Sequence, residues 1–103
     1  MTPAARLQAA IELVDQIVTA ARDAGAAADT LIATYFRTRR YAGSKDRRAV
    51  RDLVYDAVRL AGERPASGRA ALIALAETRP ELRALFDGSP HGPAPIDPAE
   101  PVA

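Results

Sequence analysis

Between Leu7 and Ala21 apolar residues recur at alternating four- and three-residue intervals, as Leu7, Ile11, Val14, Val18 and Ala21, with Ala10 and Ile17 alongside. That spacing follows the 3.6-residue period of an α-helix and gathers these side chains into one stripe, while Glu12, Asp15, Gln16, Thr19 and Arg22 fall elsewhere. A helix with one apolar stripe is stable only when the stripe is covered, so the chain must supply partners. Two more stripes do so, one through Leu31, Ile32, Tyr35 and Phe36, the other through Val50, Leu53, Val54, Ala57 and Ala61. No stretch alternates β-branched or aromatic residues with period two, and alanine is abundant throughout, which argues against strands. The pattern therefore predicts an all-α bundle of five to six helices.

Local signals place the boundaries. Thr2 can accept a backbone N–H and Pro3 has none to lose, so the first helix should open there and close at Ala24-Gly25. Asp29 opens a second helix ending near Arg39 or Arg40. Gly43 marks a turn, Ser44 is read as the N-cap of a third helix, and Asp46 sits in its first turn near the positive dipole end. The helical wheel turns Asp46 toward the apolar side, where a carboxylate caps backbone or holds an arginine. Gly62 and Pro65 punctuate next, Arg69 to Thr78 forms a fourth helix, and Glu81 to Phe86 a short last one stopped by Asp87-Gly88. Five of the eight prolines fall within Ser89 to Ala103. The expected organisation is a helical domain over 1–88 and a disordered, Pro-rich linker over 89–103.

A chain of 103 residues supports one modest core. It contains no cysteine, so disulfides, thiolate metal sites and cysteine nucleophiles are excluded, and a reducing, cytoplasmic setting is the simplest expectation. The start lacks an apolar signal core, and no stretch approaches the roughly 20 apolar residues that cross a bilayer.

Catalytic signals are weak. His91, the only histidine, lies between prolines with no second ligand beside it, and none of Ser44, Ser67 and Ser89 occupies a strand-to-helix elbow near a base. Gly43-Ser44-Lys45 lacks the earlier glycine and the preceding strand of a phosphate loop, and suits a turn with a helix cap. No catalytic or metal-ligating residue is assigned, and the chain by itself is expected not to be an enzyme.

The net charge of +1 is small, so nucleic-acid binding would have to rest on local clustering. From Arg37 to Arg59 there are eight cations, Arg37, Arg39, Arg40, Lys45, Arg47, Arg48, Arg51 and Arg59, against Asp46, Asp52 and Asp56. Arg47 and Arg51 at i,i+4 repel by roughly a few tenths of a kcal/mol, a cost that an anionic ligand would explain. Guanidinium groups stay charged and offer forked donors to phosphate, and Tyr41 could stack on an unpaired base. The competing reading is a solvated face in which Arg48 pairs with Asp52 while Arg39 and Arg40 complement the negative end of helix two. A helix-turn-helix contact with DNA is a third reading, disfavoured by Asp52 and Asp56, which would repel phosphate.

The stretch Arg40-Tyr41-Ala42-Gly43-Ser44-Lys45-Asp46-Arg47-Arg48-Ala49-Val50-Arg51-Asp52-Leu53-Val54-Tyr55 resembles the N-terminal NusB-like domain of bacterial Sun/Fmu-type ribosomal RNA cytosine-5 methyltransferases. Ser67-Gly68-Arg69 and Leu85-Phe86-Asp87-Gly88, followed by Gly92-Pro93-Ala94-Pro95, are similar to later landmarks of that domain. The resemblance implies a NusB-like fold, in which helix one packs lengthwise against helix three, and a non-catalytic role in RNA binding. In such proteins a separate domain binds S-adenosylmethionine and uses cysteines for methyl transfer, so the chain would be a part of such an enzyme without its catalytic domain or cofactor site. The stand-alone relative, NusB, binds RNA through an arginine-rich N-terminal segment, where this chain has only Arg6. The expected ribosomal RNA contacts are therefore Arg39, Arg40, Lys45, Arg47, Arg48 and Arg51. The alternative is a protein-interaction module that docks on the methyltransferase domain, docks on a ribosomal protein in an antitermination role, or self-associates.

Overall fold

The computed structural model describes residues 1–22, 27–62 and 64–100. These form five helices, α1 (Pro3–Arg22), α2 (Ala28–Arg37), α3 (Ser44–Ala61), α4 (Gly68–Thr78) and α5 (Pro80–Arg83), with no strand among the described residues. The all-α expectation holds, and no helix is long and apolar enough to cross a membrane among the described residues. The turn read at Ala24-Gly25 lies outside them.

The first helix begins as its sequence dictates. Thr2 Oγ1 accepts the Ala5 N–H at 3.0 Å and the Thr2 carbonyl accepts that of Arg6 at 2.9 Å, while Pro3 fills the first helical position. From there α1 is the hub of the bundle, packing against α2, α3 and α4, while α3 and α4 close on each other. Leu7, Leu13, Val14, Val50, Val54, Leu72 and Ile73 are sealed from solvent where these helices meet. Each such side chain stabilises the fold by roughly 1.5–3 kcal/mol before conformational entropy is set against it. Alanines fill the narrower contacts, with Ala9 and Ala10 on α1 and Ala70, Ala71 and Ala76 on α4 all buried.

The closest approach is at Gly68. A Cβ there would lie 2.0 Å from the Ile11 carbonyl oxygen and 2.8 Å from the Asp15 nitrogen, so only glycine lets the start of α4 touch α1. The Gly68 N–H donates to Asp15 Oδ1 at 2.6 Å, and Ser67 Oγ accepts from Ala70 at 3.0 Å. Two of the exposed donors at the N-terminus of α4 are thereby satisfied.

Helix boundaries differ from the sequence reading, with α2, α4 and α5 each starting one residue earlier and three further differences at the ends and caps. The third helix takes Gly43, not Ser44, as its cap, because Asp46 three residues on reaches back to accept the Gly43 N–H at 3.1 Å. The second helix stops at Arg37, where the Arg39 N–H turns to the Phe36 carbonyl at 3.1 Å and the Ala42 N–H to the Arg39 carbonyl at 3.1 Å. The last helix shortens to four residues and unwinds through single turns at Leu85 and Phe86.

The disordered linker expected from residue 89 onward is corrected over 89–100, which lies against the bundle. Gly88, in the left-handed region at φ 73°, turns the chain so that its N–H meets the Pro93 carbonyl at 3.0 Å. Pro93 is fully buried and Ile96 packs on the core. Arg69 then clamps the segment, donating to the Ala94 and Pro95 carbonyls at 3.0 Å each and to both oxygens of Glu100. Prolines bring no backbone N–H to satisfy, and Arg69 supplies donors to two of the segment's carbonyls. Residues 101–103 of the expected linker lie outside the described residues.

Candidate nucleic-acid interface

The basic segment runs from the last turn of α2, through the turn at 38–43, into the first half of α3. Its only carboxylate before Asp52 is Asp46, and Asp46 is fully engaged. It accepts from Arg6 Nε at 2.8 Å, from the Gly43 N–H, and from the amino terminus at 3.4 Å. These contacts, with Arg6 the strongest, hold its carboxyl below the usual carboxylate range. Arg6, the only cation ahead of the core of α1, is thus spent on fixing the start of α3.

The six expected contact residues divide by what they already hold. The Arg39 guanidinium folds back over the Tyr35 ring, 3.7 Å from its centroid, and donates to the Tyr35 carbonyl at 3.0 Å. It serves the C-terminal end of α2, as the solvated-face reading expected of it. Arg47 donates from Nε to the Ala42 carbonyl at 3.1 Å and lies 5.9 Å from the Phe36 ring, so it secures the turn. Arg40, Lys45, Arg48 and Arg51 are exposed, and among the described residues none has a carboxylate partner. The Arg48–Asp52 ion pair of the competing reading is absent among the described residues. Arg59, counted in the basic segment, leaves it, because it shares Asp56 with Arg79 at 2.6 and 2.7 Å. Both arginines, Arg79 foremost, pull the Asp56 carboxyl below its ordinary range.

Two concavities flank the turn. On the α3 side, Arg47, Arg48, Arg51 and Ser44 border a hollow of about 410 Å³ whose floor is Ile32 and Phe36. Asp29 stands at its edge, where its carboxylate accepts the Tyr55 hydroxyl. That bond raises the Tyr55 phenol above its ordinary value and ties α3 to the start of α2. On the α1 side, a groove of about 1000 Å³ runs between Tyr35, Arg39 and Tyr41 on one wall and His91, Gly92 and Ala94 on the other. Within it Glu12 accepts the Tyr35 hydroxyl at 2.6 Å and the Gln8 amide at 3.1 Å. Burial and this bond push the Tyr35 phenol far up, so it stays a protonated donor.

Compared with known proteins, the chain matches no family model, no curated protein and no solved structure. The site stands on its geometry alone. The groove on the α1 side was missed by sequence reasoning, because one of its walls is the proline-rich segment that the composition assigned to a linker. A signal was present in Arg69, a cation in the first turn of α4 where the helix dipole disfavours it, which calls for an anionic partner elsewhere in the chain. His91, exposed on that wall, adopts the left-handed conformation at φ 65°.

Proposed function

We propose that this chain is a non-catalytic, NusB-like RNA-binding domain that positions ribosomal RNA for a Sun/Fmu-type cytosine-5 methyltransferase. One observation carries the RNA reading: Arg40, Lys45, Arg48 and Arg51 stand exposed and, among the described residues, without carboxylate partners, while Asp46, which lies between Lys45 and Arg48 in sequence, is engaged by Arg6. Unneutralised guanidinium groups on a rigid helix are pre-organised donors for phosphate oxygens. The enzyme family rests on the resemblance over residues 40–55. S-adenosylmethionine would bind in a separate methyltransferase domain, because the helical elements here offer no glycine-rich strand-to-helix loop to hold it.

Phosphate contacts of this kind position RNA without reading its sequence, and binding weakens steeply with salt. The test is fluorescence anisotropy of the chain against a labelled ribosomal RNA hairpin and a DNA duplex of equal length across salt concentrations. RNA is expected to bind in preference to DNA. Replacing Arg48 and Arg51 together by alanine should reduce the slope of log affinity against log salt by about 1.5–2, with melting unchanged. Arg47→Ala is less informative, since it also breaks the bond to the Ala42 carbonyl. An unchanged slope would refute the site, and no binding at low salt would transfer the assignment to a protein-docking module.

A further inference from the structure

Of the five aromatic residues, four are committed to the fold. Phe36 and Phe86 are buried, Tyr35 is buried beneath Arg39, and the half-buried Tyr55 is tied to Asp29. Tyr41 is 71% exposed. Its exposure does not come from a loose loop. The next residue, Ala42, is buried, its N–H is held by the Arg39 carbonyl, its carbonyl is held by Arg47, and Gly43 is held by Asp46. The turn therefore fixes the backbone on both sides of Tyr41 and presents the ring outward. Arg40 beside it and Lys45 four residues on are exposed cations without carboxylate partners among the described residues. The ring borders the α1-side groove, and the flat guanidinium of Arg39 borders the same space.

We propose that Tyr41 is a stacking platform for an unpaired RNA base at the mouth of the groove between α1 and the 91–94 segment, with Arg40 and Lys45 engaging the adjoining phosphates. The inference rests on the RNA reading above and adds to it a preference for single strands. An aromatic face accepts a base only when that base has left its own helix, whereas phosphates are equally available on both forms. The groove gives the displaced base room, and Arg39, one face of which covers the Tyr35 ring, borders the same space. The cations on α3 lie across the turn, so a strand passing over residues 38–43 would meet phosphate-binding groups on one side and the stacking face on the other.

The test compares the whole chain with Tyr41→Ala and Tyr41→Phe for binding to a short labelled oligoadenylate and to an RNA duplex. Tyr41→Ala should weaken oligoadenylate binding roughly 5- to 100-fold and leave duplex binding as it was, while Tyr41→Phe keeps both. Because the chain has no tryptophan, Tyr41→Trp provides a single reporter whose emission should be quenched by oligoadenylate and not by duplex. If the unaltered chain binds RNA with the expected salt dependence, yet Tyr41→Ala binds oligoadenylate equally well and the indole reporter is silent, the stacking site is refuted and the phosphate-binding reading survives. If the unaltered chain binds neither RNA at low salt, both fall.

Discussion

Asp46 joins two parts of the chain that are distant in sequence, accepting from the Gly43 cap of its own helix and from the amino terminus and Arg6 at the start of α1. Because the folded state holds its carboxyl below the ordinary value, folding favours the charged form. The resulting stabilisation is present above the unfolded value of about 3.9 and is lost as pH falls through the lower folded value. Asp46→Asn should therefore melt at a lower temperature than the unaltered chain at neutral pH, with the difference shrinking below about pH 4. Thermal melts followed by circular dichroism across that range provide the measurement, and a difference that stays constant with pH would remove the charge from the explanation. The inward turn of Asp46 was legible from its place on the helical wheel. Its partner, 40 residues away, was not, since periodicity within one helix says nothing about which residue of another helix faces it. The same limit applies to Arg47: the sequence displays its charge, and only the turn geometry reveals that it is held by the Ala42 carbonyl, whereas a place for Arg39 at the end of α2 was among the readings the sequence offered.

Helices α1 and α4 meet through backbone at Gly68, so the packing of a whole element depends on one missing methyl group. Gly68→Ala would drive a carbon into the Ile11 carbonyl and the Asp15 N–H, neither of which can move without distorting α1. The expected cost is about 2–3 kcal/mol, seen as a lower urea midpoint, because overpacking against backbone has no rotamer through which to relax. A stability equal to that of the unaltered chain would mean that α4 docks differently. The apolar stripes of α1, α2 and α3 were readable because burial imposes the helical period on the sequence itself. Their ends were readable only to within a residue or two, since Gly43, Ser44 and Asp46 offer overlapping capping solutions and the choice is made by the bond that Asp46 accepts from the Gly43 N–H. The close contact at Gly68 left no readable trace, because a glycine after a serine equally suits an ordinary helix start.

Across the whole molecule, charge is distributed unevenly between structure and surface. Arg6, Arg69 and Arg79 are matched by carboxylates from other parts of the chain and Arg59 by one within its own helix, whereas the exposed Arg40, Lys45, Arg48 and Arg51 have no carboxylate partner among the described residues. Arg69 does the most for the overall architecture, since it binds the segment that closes one wall of the α1-side groove. Composition alone assigned that segment to an extended, disordered linker, because proline richness lowers the capacity to form helices and is silent on whether an extended chain finds a surface. Burial of Pro93 and partial burial of Ile96 should make the segment worth roughly 2–3 kcal/mol. Ending the chain after Gly88 should lower the urea midpoint accordingly, and Arg69→Ala should reproduce part of that loss by cutting the bonds to the Ala94 and Pro95 carbonyls and to Glu100. Because both changes release one contact surface, the double variant should be little less stable than the truncated chain. Fully additive losses would show that Arg69 stabilises α4 by some other route, and an unchanged midpoint on truncation would show that residues 89–100 do not pack on the bundle in solution. In that case the groove would lose its second wall, and the stacking face at Tyr41 would stand on an open surface.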